Sequence, residues 1–160
     1  MPVLTLPELI DAVARERAAG HTVALANGCF DVLHVGHVRY LQGAAAEAHC
    51  LVVAVNDDTS VRLLKGEGRP IMTAAERAEL VAGIAAVNYV VVFEGHTVSG
   101  VLEAIRPDVH CKGTDYTVES VPERSVVAAY GGRIAIVGDP KTHSTRDLLA
   151  RVRDEGPPSQ

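Results

Sequence analysis

The stretch Asn27-Gly28-Cys29-Phe30-Asp31-Val32-Leu33-His34-Val35-Gly36-His37 follows a short apolar run and places two histidines three residues apart around a glycine. Three chemistries are open to such a pair. Two imidazoles at this spacing can share a metal ion, but a third ligand is needed, and His49, His96 and His110 have no ligand-like context. The pair can also be polar residues satisfied by packing. Or it can hold phosphate. Gly36 lets backbone come close, and His37 opens an expected helix. Free N–H groups and the positive end of the helix dipole favour an anion there. Imidazole N–H donors beside that end would hold phosphate oxygens without a permanent charge. The phosphate reading fits the chain best, and no residue is assigned as a protein ligand to a metal.

The elements that must position this stretch are legible as alternating apolar runs and amphipathic helices. Helices are expected over 7–19, closed by Gly20, and over 37–48, 73–85, 97–106 and 144–152. The 73–85 helix starts with Thr73 and Glu76 in capping-box spacing. Residues 119–132 read as partly helical, and 57–70 as a polar, glycine-rich loop with room for one helical turn. Five strands are expected at 22–27, 50–56, 88–93, 108–113 and 133–138. They are apolar throughout instead of alternating, which happens when helices cover both faces. The expected fold is therefore α/β: a Rossmann-like, doubly wound parallel sheet of five strands with helices on both faces. We expect one domain, with an N-terminal helix within 1–20, a core over 22–152 and a tail over 153–160. Ligands in such sheets bind at the carboxyl ends of the strands, where the strand order reverses. The polar clusters NGCFDVLHVGH, NDD (56–58), KGTDY (112–116) and GDPKTHST (138–145) all follow strands.

Charge and composition narrow the partners. The 160-residue chain has a net charge of −5, which argues against a general nucleic-acid or anionic-membrane surface. The three cysteines, Cys29, Cys50 and Cys111, form no metal-type pair and no disulfide framework. No apolar stretch approaches the length of a membrane span, and no signal peptide is evident at the start. A cytoplasmic protein is the expectation.

Four segments, taken in order, carry a family resemblance. NGCFDVLHVGH resembles the signature of the HxGH nucleotidyltransferases, the cytidylyltransferase-like superfamily. VNDDTSVRLLKGEGRP, TAAERAELVAGIAAVNYVVVF, and KGTDY with HSTRDLL resemble segments of its heptose-1-phosphate branch, the nucleotidyltransferase domain of ADP-heptose synthases. The likeness runs from about residue 22 to 152. It implies transfer of a nucleoside monophosphate from ATP or another NTP to a sugar 1-phosphate, with Mg²⁺ on the triphosphate and pyrophosphate leaving. A glycerol-3-phosphate or other phosphoalcohol cytidylyltransferase is the alternative, and a nucleotide-binding module without turnover is a third reading. Relatives are commonly homodimers, and many bacteria fuse this domain to a sugar kinase. This chain would then depend on a separate kinase.

The resemblance casts the candidates in roles. His34, His37, Lys65 and Lys112 are the catalytic candidates. Nucleotide contacts are expected from Asn27, Gly28, Cys29, Phe30, Gly36, His37, Lys112, Asp115, Ser144 and Thr145. Substrate contacts are expected from Asp31, Asn56, Lys65, Arg69, Arg77 and Tyr116. Several of these keep a plainer reading. Asp31 can be a brace for its turn or a contact near the metal. Lys65 can be a solvated lysine or a cation closing over the transferred phosphate. Arg77 can be a surface partner or a phosphate contact. Ser144 caps its helix with Asp147 three residues on, and a capped helix start also binds phosphate. Two positions depart from the family pattern: Cys29 stands where Val or Thr is usual, and His143 where an apolar residue or Cys is usual.

Overall fold

The computed structural model describes residues 3–140 and 144–155. The elements run β1 (Val3–Leu4), α1 (Leu6–Ala18), β2 (Val23–Gly28), α2 (Val35–Ala45), β3 (Cys50–Asn56), α3 (Asp58–Lys65) and α4 (Ala74–Ala82). They continue with β4 (Tyr89–Phe93), α5 (Ser99–Ile105), β5 (Val109–Lys112), a 3-10 turn at Val118–Ser120, α6 (Arg124–Ala129), β6 (Arg133–Ile136) and α7 (Thr145–Glu155). The sheet is wholly parallel, in the order β1-β4-β3-β2-β5-β6.

Two expectations need correction. The sheet has six strands among the described residues, not five, because Val3 and Leu4 pair with Val90 and Val91 at the edge. A two-residue edge strand has too few positions to show any period. The segment read as a loop holds α3. Its N-cap is Asp57, whose carboxylate accepts the Ser60 N–H at 2.9 Å, and only Ser60 and Val61 of it are buried.

Both faces of the sheet are covered, as the continuous apolar strands require. In β3 the side chains alternate between two cores. Leu51, Val53 and Val55 pack with Leu41 and Ala44 of α2 and with Ala78 and Val81 of α4. Cys50, Val52 and Ala54 pack with Leu9 and Val13 of α1, Val101 and Leu102 of α5, and Val127 of α6. Burying each such Val or Leu contributes about 1.5–3 kcal/mol. Reciprocal caps fix two helix starts: Thr5 with Glu8 for α1, and Thr73 with Glu76 for α4.

The strand order places the reversal at β2. The chain steps from β2 to β3 and β4 on one side, then crosses back to β5 and β6 on the other. The carboxyl ends of β2 and β5 therefore diverge where the HxGH stretch and KGTDY begin, which is where an open parallel sheet binds its ligand.

Candidate active site

A cleft of about 830 Å³ opens over the carboxyl ends of the strands. Its walls come from the loops after β2, β3, β5 and β6 and from the start of α7. Tyr40 of α2 bridges the strand ends below it: its hydroxyl donates to the Cys111 carbonyl at 2.6 Å and accepts from the Asn27 N–H at 3.4 Å. Burial raises the Tyr40 pKa, so the phenol stays protonated. Two glycines bring α2 down onto the loop after β6. A Cβ on Gly43 would lie 3.1 Å from the Gly138 nitrogen, and Gly138, at φ +92°, already sits against the Tyr40 backbone.

The two histidines do more at the helix start than line it. α2 begins at Val35, two residues earlier than expected, with His34 as N-cap. His34 Nδ1 accepts the Gly36 N–H at 3.1 Å, and His37 Nδ1 accepts the His34 N–H at 3.2 Å. The rings stack with centroids 3.9 Å apart. Because each Nδ1 accepts, each neutral ring carries its proton on Nε2. Both residues line the cleft. The geometry joins packing to phosphate chemistry: one nitrogen of each ring builds the helix end and the other is a donor.

The turn before them is strained. Phe30 and Val32 adopt φ of 51° and 59°, and a β-branched residue is an outlier in that region. Asp31 and Thr145 hold the turn from both sides. The Asp31 carboxylate, 2% exposed, accepts from Arg69 Nε at 2.7 Å, from the Ile71 N–H at 2.8 Å and from the Met72 N–H at 3.1 Å. Burial opposes its charge. The Ile71 N–H, the Arg69 guanidinium and the Met72 N–H outweigh that and lower its pKa below the ordinary value. The Thr145 hydroxyl donates to the Asp31 carbonyl at 2.7 Å and lies 3.2 Å from that of Val32. Asp31 is thus a brace, one that ties its turn to residues 69–72.

Most other expected site residues reach the cleft. Asn27, Gly28, Cys29, Phe30, Gly36, Asn56, Lys65, Arg69, Lys112, Asp115, Tyr116, Ser144 and Thr145 all line it. Lys65 ends α3 and is exposed, next to Gly66 at φ +100°. The Lys112 ammonium lies 4.3 Å from the Tyr116 ring centroid. Ser144 Oγ accepts the Asp147 N–H at 3.1 Å and so caps α7. Burial raises the Cys29 pKa, so the thiol is held neutral, 3.9 Å from Asn56 Oδ1.

Arg77 is the exception. It is fully buried and does not line the cleft. Its guanidinium donates to the carbonyls of Cys29 (2.6 Å), Asn56 (2.7 Å) and Met72 (3.0 Å) and to Asp58 Oδ1 (2.8 Å). It is neither a surface partner nor a phosphate contact but a cross-link between the loop after β2 and the end of β3. His143 lies outside the described residues.

With the geometry in hand, comparison with known proteins identifies the lineage. A family profile described as cytidylyltransferase-like matches residues 25–148. The chain belongs to the cytidylyltransferase-like family. Curated relatives include the Bifunctional protein HldE of Alkalilimnicola ehrlichii, 47% identical over 94% of this chain and 32% of that protein. The protein of the same name from Pseudomonas paraeruginosa is 45% identical over 96% of this chain and 32% of its own length. The chain thus spans about a third of the length of these relatives. Two solved structures share the fold. A lipopolysaccharide core biosynthesis protein from Thermoplasma volcanium superposes with a TM-score of 0.67, at 23% identity, over 76% of this chain and 100% of that one. Pantothenate synthetase from Thermus thermophilus gives 0.65, at 17% identity, over 96% and 69%.

This member of the cytidylyltransferase-like family also builds its cleft from residues that sequence reasoning passed over. Tyr40, His96, Glu123 and Arg146 line it, as do Arg39 and Asp139, which pair at 2.8 Å. His110, buried on β5, meets Asn27 Oδ1 through Nε2 at 3.0 Å. Burial and then the Lys112 charge push its pKa down to about 3. The ring is neutral, and Nε2 donates. No helix among the described residues is long and apolar enough to cross a membrane.

Proposed function

We propose that this chain transfers AMP from ATP to D-glycero-D-manno-heptose 1-phosphate, giving ADP-heptose and pyrophosphate. The observation that carries the reading is the histidine pair. It caps α2 inside the cleft and keeps its Nε2 donors at a helix start, with Lys65 and Lys112 on the same walls. The similarity to Bifunctional protein HldE over nearly the whole chain supports the heptose branch.

An oxygen of the sugar phosphate attacks the α-phosphorus, the bond from that phosphorus to the bridging oxygen breaks, and pyrophosphate leaves with the electron pair. No general base is needed, because the attacking oxygen is already anionic. Catalysis then consists of positioning plus stabilisation of charge. His34 and His37 donate to phosphate oxygens through Nε2 at the positive end of α2, whose Gly36 and His37 N–H groups are already taken by His34. Lys65 and Lys112 bring cations to the two anionic substrates. The Thr145 hydroxyl is engaged with the loop carbonyls, so the backbone start of α7 and Arg146 are its phosphate contacts.

Among the described residues no three His, Cys, Asp or Glu side chains form a metal cage. Membership of the cytidylyltransferase-like family supports a small hard cation that would arrive on the triphosphate and keep waters in its shell. Mg²⁺ so bound would neutralise charge on the leaving pyrophosphate. A homodimer belongs to the same proposal and is read by sedimentation.

The test is pyrophosphate release with Mg²⁺, crossing ATP, GTP and CTP against heptose 1-phosphate anomers and glycerol 3-phosphate. Turnover with ATP and a heptose phosphate is expected. Turnover with CTP and glycerol 3-phosphate alone would discard the heptose assignment and keep the chemistry.

A further inference from the structure

Lys112 ends β5 with its side chain folded into the cleft wall, 7% exposed. Among the described residues it forms no direct ion pair. Glu123, just before α6, lines the same cleft and is 4% exposed. Its Oε1 accepts the Val98 N–H at 3.3 Å. Its Oε2 is buried with no hydrogen-bond partner among the described residues. A buried, unpaired carboxylate oxygen is costly unless a cation answers it.

The groups that face Lys112 come from four directions. Glu123 comes from the start of α6. Asp115 and Tyr116 come from the loop after β5, Cys29 from the loop after β2, and His110 from β5 itself. Of the two carboxylates Glu123 is the buried one, whereas Asp115 is exposed and screened by solvent.

We propose that Glu123 is a positioning residue, the fixed counter-ion that holds the Lys112 ammonium in the cleft without pairing with it directly. Burial lowers the Lys112 pKa, and the carboxylates of Glu123 and then Asp115 push it back up. The stand-off has a use. A direct salt bridge would have to break before Lys112 met a phosphate, whereas a carboxylate tethered to the Val98 N–H stays behind when the ammonium moves. That catalytic consequence rests on the nucleotidyl-transfer reading; the electrostatic relation does not.

The experiment is an NMR titration of the lysine ammonium groups in the full chain, labelled with ¹³C,¹⁵N-lysine. The sequence has three lysines, Lys65, Lys112 and Lys141, so Lys65→Arg and Lys112→Arg assign the signals. Glu123→Gln keeps an oxygen for the Val98 N–H and removes the charge. It is expected to lower the Lys112 midpoint by about one to two pH units while leaving Lys65 in place. Glu123→Asp is expected to restore part of the shift. The alkaline limb of kcat/KM should fall with the Lys112 midpoint. An unmoved Lys112 midpoint in Glu123→Gln overturns the proposal whatever the activity. Failure of the wild type to turn over heptose phosphate would instead sink the functional reading and leave the titration readable. If Glu123→Gln does not fold, a crystal structure of the wild type decides: Oε2 turned onto a protein N–H or O–H donor and away from Lys112 overturns the proposal.

Discussion

His37 accepts the backbone N–H of His34 while the His34 ring accepts that of Gly36, so the proposed phosphate donors are also the caps of their own helix. The two roles separate by substitution. Asparagine can place an amide oxygen where Nδ1 stands, but it has no group that reaches as far as Nε2. His34→Asn should keep the melting temperature close to wild type and lower kcat by about 10²–10³-fold. His34→Ala should lose the rate and in addition about 1 kcal/mol of stability through the missing cap. Pyrophosphate release and thermal melts on both variants check this. Equal activity in His34→Asn and wild type would remove the imidazoles from catalysis.

The clamp of Asp31 on Arg69, Ile71 and Met72 has a pH signature. The folded-state pKa of Asp31 is lowered, so its stabilisation is fully present above the unfolded value, about 3.9. It is lost as pH falls through the lower folded value. Asp31→Asn should therefore cost about 2–4 kcal/mol near neutral pH, and the gap to wild type should close only in strong acid. Denaturant melts at a series of pH values read this. A gap that stays constant down to the acid end would mean that the carboxylate charge is not what holds residues 69–72.

The outline of the fold was legible because hydrophobic runs report burial directly. β3 falls at Cys50–Asn56, as its apolar run predicts. The HxGH stretch and Lys112 were legible as cleft-lining residues because they follow strands, and the carboxyl rim of a parallel sheet is where a ligand goes. What was hidden is orientation. A strand buried on both faces has no polar period, so nothing in VHCKG told that His110 would meet Asn27. Arg77 follows a capping glutamate on an amphipathic helix and reads as a surface partner or a phosphate contact. Only the meeting of three carbonyls from separate segments makes it interior. Glu123 sits in a stretch that reads as partly helical, and nothing local to it told that its side chain would be buried in the cleft wall.

Arg77 should behave as a structural residue with no role in binding. Its planar fork satisfies three carbonyls and a carboxylate at once, which a lysine cannot do. Arg77→Lys should cost about 3–5 kcal/mol, measured by urea unfolding. The fraction that stays folded should keep the wild-type KM for nucleotide. A KM that rises while stability holds would return Arg77 to the substrate.

His110 makes the opposite trade. Its Nε2–H orients the Asn27 amide at the cleft, while its buried Nδ1 has no hydrogen-bond partner among the described residues. His110→Leu removes both atoms. The lost donor should raise the nucleotide KM by about five- to tenfold, the equivalent of one hydrogen bond, with kcat less affected. Stability should hold or rise. The sign with pH follows from the folded pKa of about 3, below the ordinary imidazole value of 6.5. A histidine that folds neutral gives its full contribution above the unfolded value and loses it as pH falls toward the folded one. Wild type should therefore lose stability relative to His110→Leu as pH drops below about 6.5. Parallel melts across that range, with KM measured at neutral pH, test both halves. Curves that run parallel would mean that His110 is not held neutral by the fold.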